Sequence, residues 1–81
     1  MKPNTRPMPL RTGEKLRAIR QHFALSQTEM KRRLEFGGHY GRISEYEIGK
    51  RYPSVLTLLL YARVAGIHID DLVDDEIELK F

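Results

Sequence analysis

Apolar residues recur at helical spacing along most of the chain. Leu16, Ile19 and Phe23 fall three and four apart, which predicts a first helix from Thr12 that ends at Ala24-Leu25. Thr12 stands where a cap is needed, and Glu14 suits the positive end of the helix dipole. "SQTE" at 26–29 is a capping box, in which Ser26 and Glu29 each satisfy a main-chain N–H of the other. Met30 and Leu34, four apart, then give a second helix its buried stripe, with Lys31, Arg32 and Arg33 pointing elsewhere, until "GG" at 37–38 breaks it. A third helix, about His39 to Ile48, buries Ile43 and at least part of Tyr46 and stops at Gly49. Pro53-Ser54 opens a fourth, "VLTLLLYARVA", apolar nearly all round and therefore expected to be the central helix of the core. Gly66 ends it. "IHIDDLV" makes one more short helix, with Asp70 and Asp71 in its first turn and Ile67, Ile69 and Leu72 directed inward.

The two ends read differently. Residues 1–9 hold three prolines and no periodicity, which predicts a flexible arm carrying Lys2 and Arg6. In "DDEIELKF" at 74–81, Ile77, Leu79 and Phe81 alternate with Glu78 and Lys80, the period of a half-buried strand. A lone strand has no ladder partner within one protomer. The same strand of a second copy is one expected partner, which would make Ile77, Leu79 and Phe81 dimerisation residues; a disordered tail is the other reading. The expected architecture is all-α, with five helices over residues 10–73 and a short C-terminal β-strand in a 74–81 tail.

Composition narrows the classes. Eighty-one residues make one small domain, near the size where a single core barely suffices and dimerisation adds stability. Cysteine is absent, which excludes disulfides and thiolate metal sites. No apolar run approaches the roughly 18 residues of a membrane span, and the first residues lack a signal-peptide core. A cytoplasmic chain with no membrane partner is expected. The net charge of +3 conceals an asymmetry: residues 1–54 hold 12 Lys and Arg against 5 Asp and Glu, a net +7, and residues 55–81 hold 2 against 6, a net −4. One surface facing a polyanion and one turned away would produce this division, as would ordinary solvated charge. His22, His39 and His68 have no ligand spacing, and "DDE" at 74–76 reads as a solvated acidic junction, so neither metal nor cofactor is expected. Nothing resembles a nucleophile with its base, a phosphate loop or paired catalytic carboxylates, and no enzymatic activity is expected.

Three stretches, taken in order, carry a resemblance: "LRAIRQHFALSQTEM", "ISEYEIGKRYPS" and "LLLYARVAGIHIDDLV". They resemble the Cro/C1-type (phage-repressor-like) helix-turn-helix family over about residues 13 to 73. The pieces are Leu16 and Arg20, then Leu25-Ser26-Gln27, then Ile43…Glu47-x-Gly49-Lys50-Arg51-x-Pro53, and Gly66 closing the fourth helix. The chain departs from the pattern between Gln27 and Ile43, where it is two residues longer. Lys31 stands where a small residue is usual and Glu35 where the turn glycine is usual. A second helix prolonged by part of a turn, ending near Gly37, would absorb the insertion.

The resemblance implies a lambda-repressor-like domain that binds double-stranded DNA as a small transcriptional regulator, a homodimer on a two-fold operator with half-sites about 34–36 Å apart. It implies that the third helix enters the major groove, with Tyr40, Gly41, Arg42, Ser44 and Glu45 facing the bases. Ser44 is an adaptable partner, Glu45 can accept from a cytosine amino group, and Tyr40 offers a hydroxyl or packs on a thymine methyl. Gln27, Thr28, His39, Lys50, Arg51 and Tyr52 would meet the sugar-phosphate backbone. Arg20 and Glu47 would pair internally, joining the first helix to the third. The alternative function is a protein-interaction module, such as the antitoxin of a toxin–antitoxin pair, engaging a toxin or other protein through its tail.

Overall fold

The computed structural model describes residues 9–34 and 42–80. In them five helices follow one another: α1 (Thr12–His22), α2 (Gln27–Arg33), α3 (Ile43–Glu47), α4 (Val55–Ala65) and α5 (Ile69–Val73). The all-helical five-element architecture is the expected one, and no helix among the described residues is long and apolar enough to cross a membrane. Leu16 and Ile19 of α1, Met30 and Leu34 around the end of α2, Ile43 and Tyr46 of α3, Leu58, Tyr61 and Ala62 of α4 and Leu72 of α5 form one continuous core. The fully buried Tyr61 hydroxyl has no partner among the described residues, and burial pushes its pKa up, so it stays neutral.

Local chemistry sets the helix ends. The capping box of α2 is formed: Glu29 N–H donates to Ser26 Oγ at 3.0 Å and Ser26 N–H to Glu29 Oε1 at 2.7 Å. Ser54 caps α4 by accepting from Thr57 N–H at 3.2 Å. Three helices close the same way. Leu25 N–H reaches the Arg20 carbonyl, Lys50 N–H the Glu45 carbonyl and Ile67 N–H the Ala62 carbonyl, at 3.0, 2.9 and 3.0 Å. Each closure needs a left-handed residue just past the helix. Gly49 and Gly66 supply it at φ +79° and +71°, and after α1 it is Ala24, at φ +55°.

The structure corrects several expectations. Thr12 does not cap α1; its hydroxyl donates to the Leu72 carbonyl at 2.9 Å and lies 3.2 Å from the Tyr52 hydroxyl. The helix start is capped instead from the tail, where the Asp75 carboxylate accepts from Leu10 N–H at 2.8 Å and Arg11 N–H at 2.9 Å. Helix α2 ends at Arg33, short of Gly37, and α3 begins at Ile43 with Arg42 as its cap, shorter than the expected 39–48. The central helix is α1, which packs on α3, α4 and α5. Helix α4 leaves Val55 and Leu56 exposed at its first turn, so its apolar girdle is not all core.

No strand forms among the described residues, and the tail packs on its own protomer. The period of two is real: Asp75, Ile77 and Leu79 are half-buried while Asp74, Glu76, Glu78 and Lys80 are exposed. The partner is a helix. Lys15 of α1, itself buried, donates from Nζ to the carbonyls of Asp71, Asp74 and Ile77 at 2.8, 2.7 and 2.7 Å. Arg11 forks onto both oxygens of Glu78 at 3.0 Å. Hydrogen bonds from Leu10 and Arg11 hold the Asp75 carboxyl below the usual range, and Arg11 does the same for Glu78. Both contributions are complete above the ordinary carboxylate pKa of about 4 and fade as pH falls through the lowered values. Leu79 thus packs against the core of its own protomer and Ile77 is half-buried, with no strand formed by either; Phe81 lies outside the described residues.

Helices α1 and α3 approach closely at Gly13. A Cβ there would stand 2.6 Å from the Tyr46 carbonyl oxygen and 3.0 Å from that of Glu47, both main-chain atoms that cannot swing aside. Alanine is the better helix former by roughly 0.5–1 kcal/mol, yet Gly13→Ala should destabilise the fold by about 1–3 kcal/mol through overpacking. Urea denaturation of the two proteins checks the sign.

Candidate functional site

Helix α3 has two faces. Ile43, Tyr46 and Glu47 are buried; Arg42 and Ser44 are exposed, and Glu45 lies between. Glu47, next to apolar Tyr46 and Ile48, is buried because it has strong partners. Arg20 Nε donates to its Oε2 at 2.6 Å and Arg20 Nη2 to its Oε1 at 2.9 Å, while Arg20 Nη1 donates to the Leu25 carbonyl at 3.0 Å. The pair raises the Arg20 pKa further above its ordinary value. Gln27 Nε2 reaches the same Oε1 at 3.3 Å. One carboxylate therefore ties α1, the start of α2 and the end of α3 together, and it fixes which face of α3 looks outward.

Gly49 ends α3 and sends the chain into an exposed basic loop. Main-chain N–H groups of Lys50 and Arg51 donate to the Glu45 carbonyl at 2.9 and 3.3 Å, so the loop is pinned to α3 by its backbone. Arg51 Nε lies 3.1 Å from Glu45 Oε1 and Arg42 Nη1 lies 3.4 Å from the same oxygen. Arg42 and Arg51 thus converge on Glu45, and with exposed Lys50 next to Arg51 they make a cationic rim, while Ser44, next to Glu45 in the chain, is exposed. Such a surface can bind phosphate oxygens and offer a hydroxyl to a base edge. The Glu45 carboxyl, held by Arg51, stays ionised below the usual carboxylate range.

Other expected contacts are arranged differently. Gln27 and Thr28 are exposed at the start of α2, but the Gln27 carboxamide is turned toward Glu47. Tyr52 is half-buried with its hydroxyl against Thr12, so it braces the loop on α1 instead of presenting a phenol to solvent. Glu45, expected to face bases, is engaged by two arginines of its own chain. His39, Tyr40 and Gly41 lie outside the described residues. Among the described residues no three His, Asp or Glu converge as a metal site.

Two residues that position this surface were not singled out from the sequence: Gly13, which lets α1 meet α3, and Lys15, which ties α1 to the tail. A signal for Lys15 existed. Thr12, Lys15, Leu16 and Ile19 share one helical stripe, and a lysine inside a buried stripe needs acceptors.

Known proteins match this arrangement. A family model described as helix-turn-helix matches residues 16–72. Among solved structures, the fold is similar to the P22 c2 repressor protein in complex with synthetic operator 9T in the presence of Tl+. The TM-score is 0.68 at 23% sequence identity, over 80% of this chain and 96% of that one. No curated protein matches the sequence.

The Arg20–Glu47 pair carries a direct test. Arg20→Ala should cost about 3–5 kcal/mol, since it leaves a buried carboxylate uncompensated. Arg20→Lys should recover only part of that loss, because a point charge lacks the fork that meets both carboxylate oxygens and the Leu25 carbonyl together. Urea denaturation of the three proteins measures both differences.

Proposed function

The chain belongs to the Cro/C1-type helix-turn-helix family of DNA-binding transcription regulators, and from that premise we propose that it reads a two-fold DNA site as a homodimer. The observation that carries the reading is the cationic rim of Arg42, Lys50 and Arg51 at the two ends of α3, whose buried face is locked by Arg20 and Glu47 and whose Ser44 is exposed. In this reading α3 lies in the major groove, Ser44 meets a base edge, and Arg42, Lys50, Arg51, Gln27 and Thr28 meet phosphates. The contacts to phosphate give affinity and its salt dependence, and the few base contacts give sequence choice. Helix–groove docking is consistent with the similarity to a repressor solved on its operator. The protein is not an enzyme.

Lys50→Ala should weaken binding to all duplexes alike and reduce the log–log salt slope by about one unit, whereas Ser44→Ala should change the preferred bases. Fluorescence anisotropy titrations against genomic fragments over a salt series measure both. If neither substitution changed binding, the assignment of this face to DNA would fall.

A second surface besides the tail is available to the proposed dimer. Ile48 at the end of α3 and Val55 and Leu56 at the start of α4 are 74, 73 and 51% exposed, and they bracket the basic loop. A second copy is the occupant that fits: a two-fold axis there presents two α3 helices to one duplex, and a palindromic site requires them about 34–36 Å apart. Val55→Asp places a charge that suits the first turn of α4 and so spares the fold. It should shift the protein toward monomer in sedimentation velocity and abolish cooperative binding to paired half-sites. A partner-binding reading of the antitoxin kind is less favoured, because Leu79 packs against the core and Lys15 holds the Ile77 carbonyl.

A further inference from the structure

Two of the three cations on the rim are already occupied by a carboxylate of their own chain. Glu45 Oε1 accepts from Arg51 Nε at 3.1 Å and lies 3.4 Å from Arg42 Nη1, so one oxygen serves both guanidinium groups. The Arg51 main-chain N–H also rests on the Glu45 carbonyl, which keeps the two residues paired whatever the side chain does. Both arginine side chains are about half exposed, at 53 and 52%, and the carboxylate between them is 25% exposed. Exposed ion pairs of this kind add little to stability, and α3 already has Glu47 to hold it. Stability does not explain why an acid stands among cations on the outward face. Lys50, next to Arg51, projects as an exposed charge.

We propose that Glu45 is a specificity-determining residue that acts as an internal stand-in for phosphate. Its carboxylate competes with the DNA backbone for Arg42 and Arg51, so a duplex of arbitrary sequence meets a rim at partial strength. A site with a base amino group beside α3, such as cytosine N4, gives the carboxylate another partner and releases both arginines to the backbone. Sequence choice then arises from a penalty on wrong sites as much as from attraction to the right one. The inference rests on the DNA-binding reading above and adds to it a reason for the acid.

The test uses the full chain and its isosteric variant Glu45→Gln, with two probes: a random-sequence duplex, and the tightest site that the wild type selects from a randomised pool. Glu45→Gln should bind the random duplex about fivefold tighter, the effect of removing one nearby like charge. Its salt slope should steepen by roughly one to two units as Arg42 and Arg51 each gain a phosphate. Preference for the selected site should shrink at least as much. Asp70→Asn, the same change in net charge on α5, should leave the random duplex near wild-type affinity. In an Arg42→Ala, Arg51→Ala background, Glu45→Gln should leave the salt slope unchanged and give a smaller gain, the direct carboxylate–phosphate repulsion alone; an undiminished gain there overturns the proposal. Unchanged or weaker binding of the random duplex by Glu45→Gln overturns the proposal, as does an equal gain from Asp70→Asn. A wild type that binds no duplex removes the DNA reading itself, a different outcome from a wild type that binds and a Glu45→Gln that behaves identically.

Discussion

Burying one carboxylate and then satisfying it decides how the outward face of this protein is presented. Glu47 is nearly inaccessible, and a charge there is tolerable only with a fork of donors against it. Arg20 provides the fork, closes the end of α1 through the Leu25 carbonyl with its third nitrogen, and leaves Gln27 within reach of the same acid. The five-residue α3 has too few internal hydrogen bonds to stand alone. Its orientation is inherited from α1 through Glu47 and through the close approach at Gly13.

A second set of interactions holds the other end of α1. Lys15 binds three carbonyls that α5 and the following turn would otherwise leave to water, and Asp75 caps the start of α1 in return. The exchange is reciprocal: a cation of α1 closes the C-terminal segment and an anion of that segment closes α1. The negative charge of the last third of the chain thus has a use inside the molecule. Arg11 consumes Glu78, and Asp75 is hydrogen-bonded to backbone, so the acidic end staples the helix that positions α3. The basic loop, by contrast, has one carboxylate for its cations, and Lys50 remains exposed.

The helix-turn-helix relationship adds a physical reading to this layout. Glu47 and Lys15 are buried, whereas the cations Arg42, Lys50 and Arg51 and the apolar Ile48, Val55 and Leu56 are among the exposed side chains. All but Arg42 sit at the junction of α3 and α4 in sequence, where the proposed recognition and assembly surfaces would share one short loop. Glu45 stands at the centre of that loop's electrostatics and links its two arginines.

Much of this was legible in the residues. The Ser26–Glu29 capping box, the Ser54 start of α4, the glycine stops at 49 and 66 and the buried stripes of α1 and α2 depend on interactions within about four residues, and that is the range over which a sequence displays its own chemistry. The family resemblance made the Arg20–Glu47 pairing legible as well. What the tail does, which helix is central, and which acid holds which arginine were decided only by tertiary structure. Alternation in "EIELKF" records that one side is covered without saying by what, and the cover proved to be a helix more than 60 residues away in the chain. Thr12, expected as a cap, goes instead to the Leu72 carbonyl, and Glu45 rests against Arg51, because a hydroxyl or a carboxylate takes the strongest partner in reach, and reach is set by the fold.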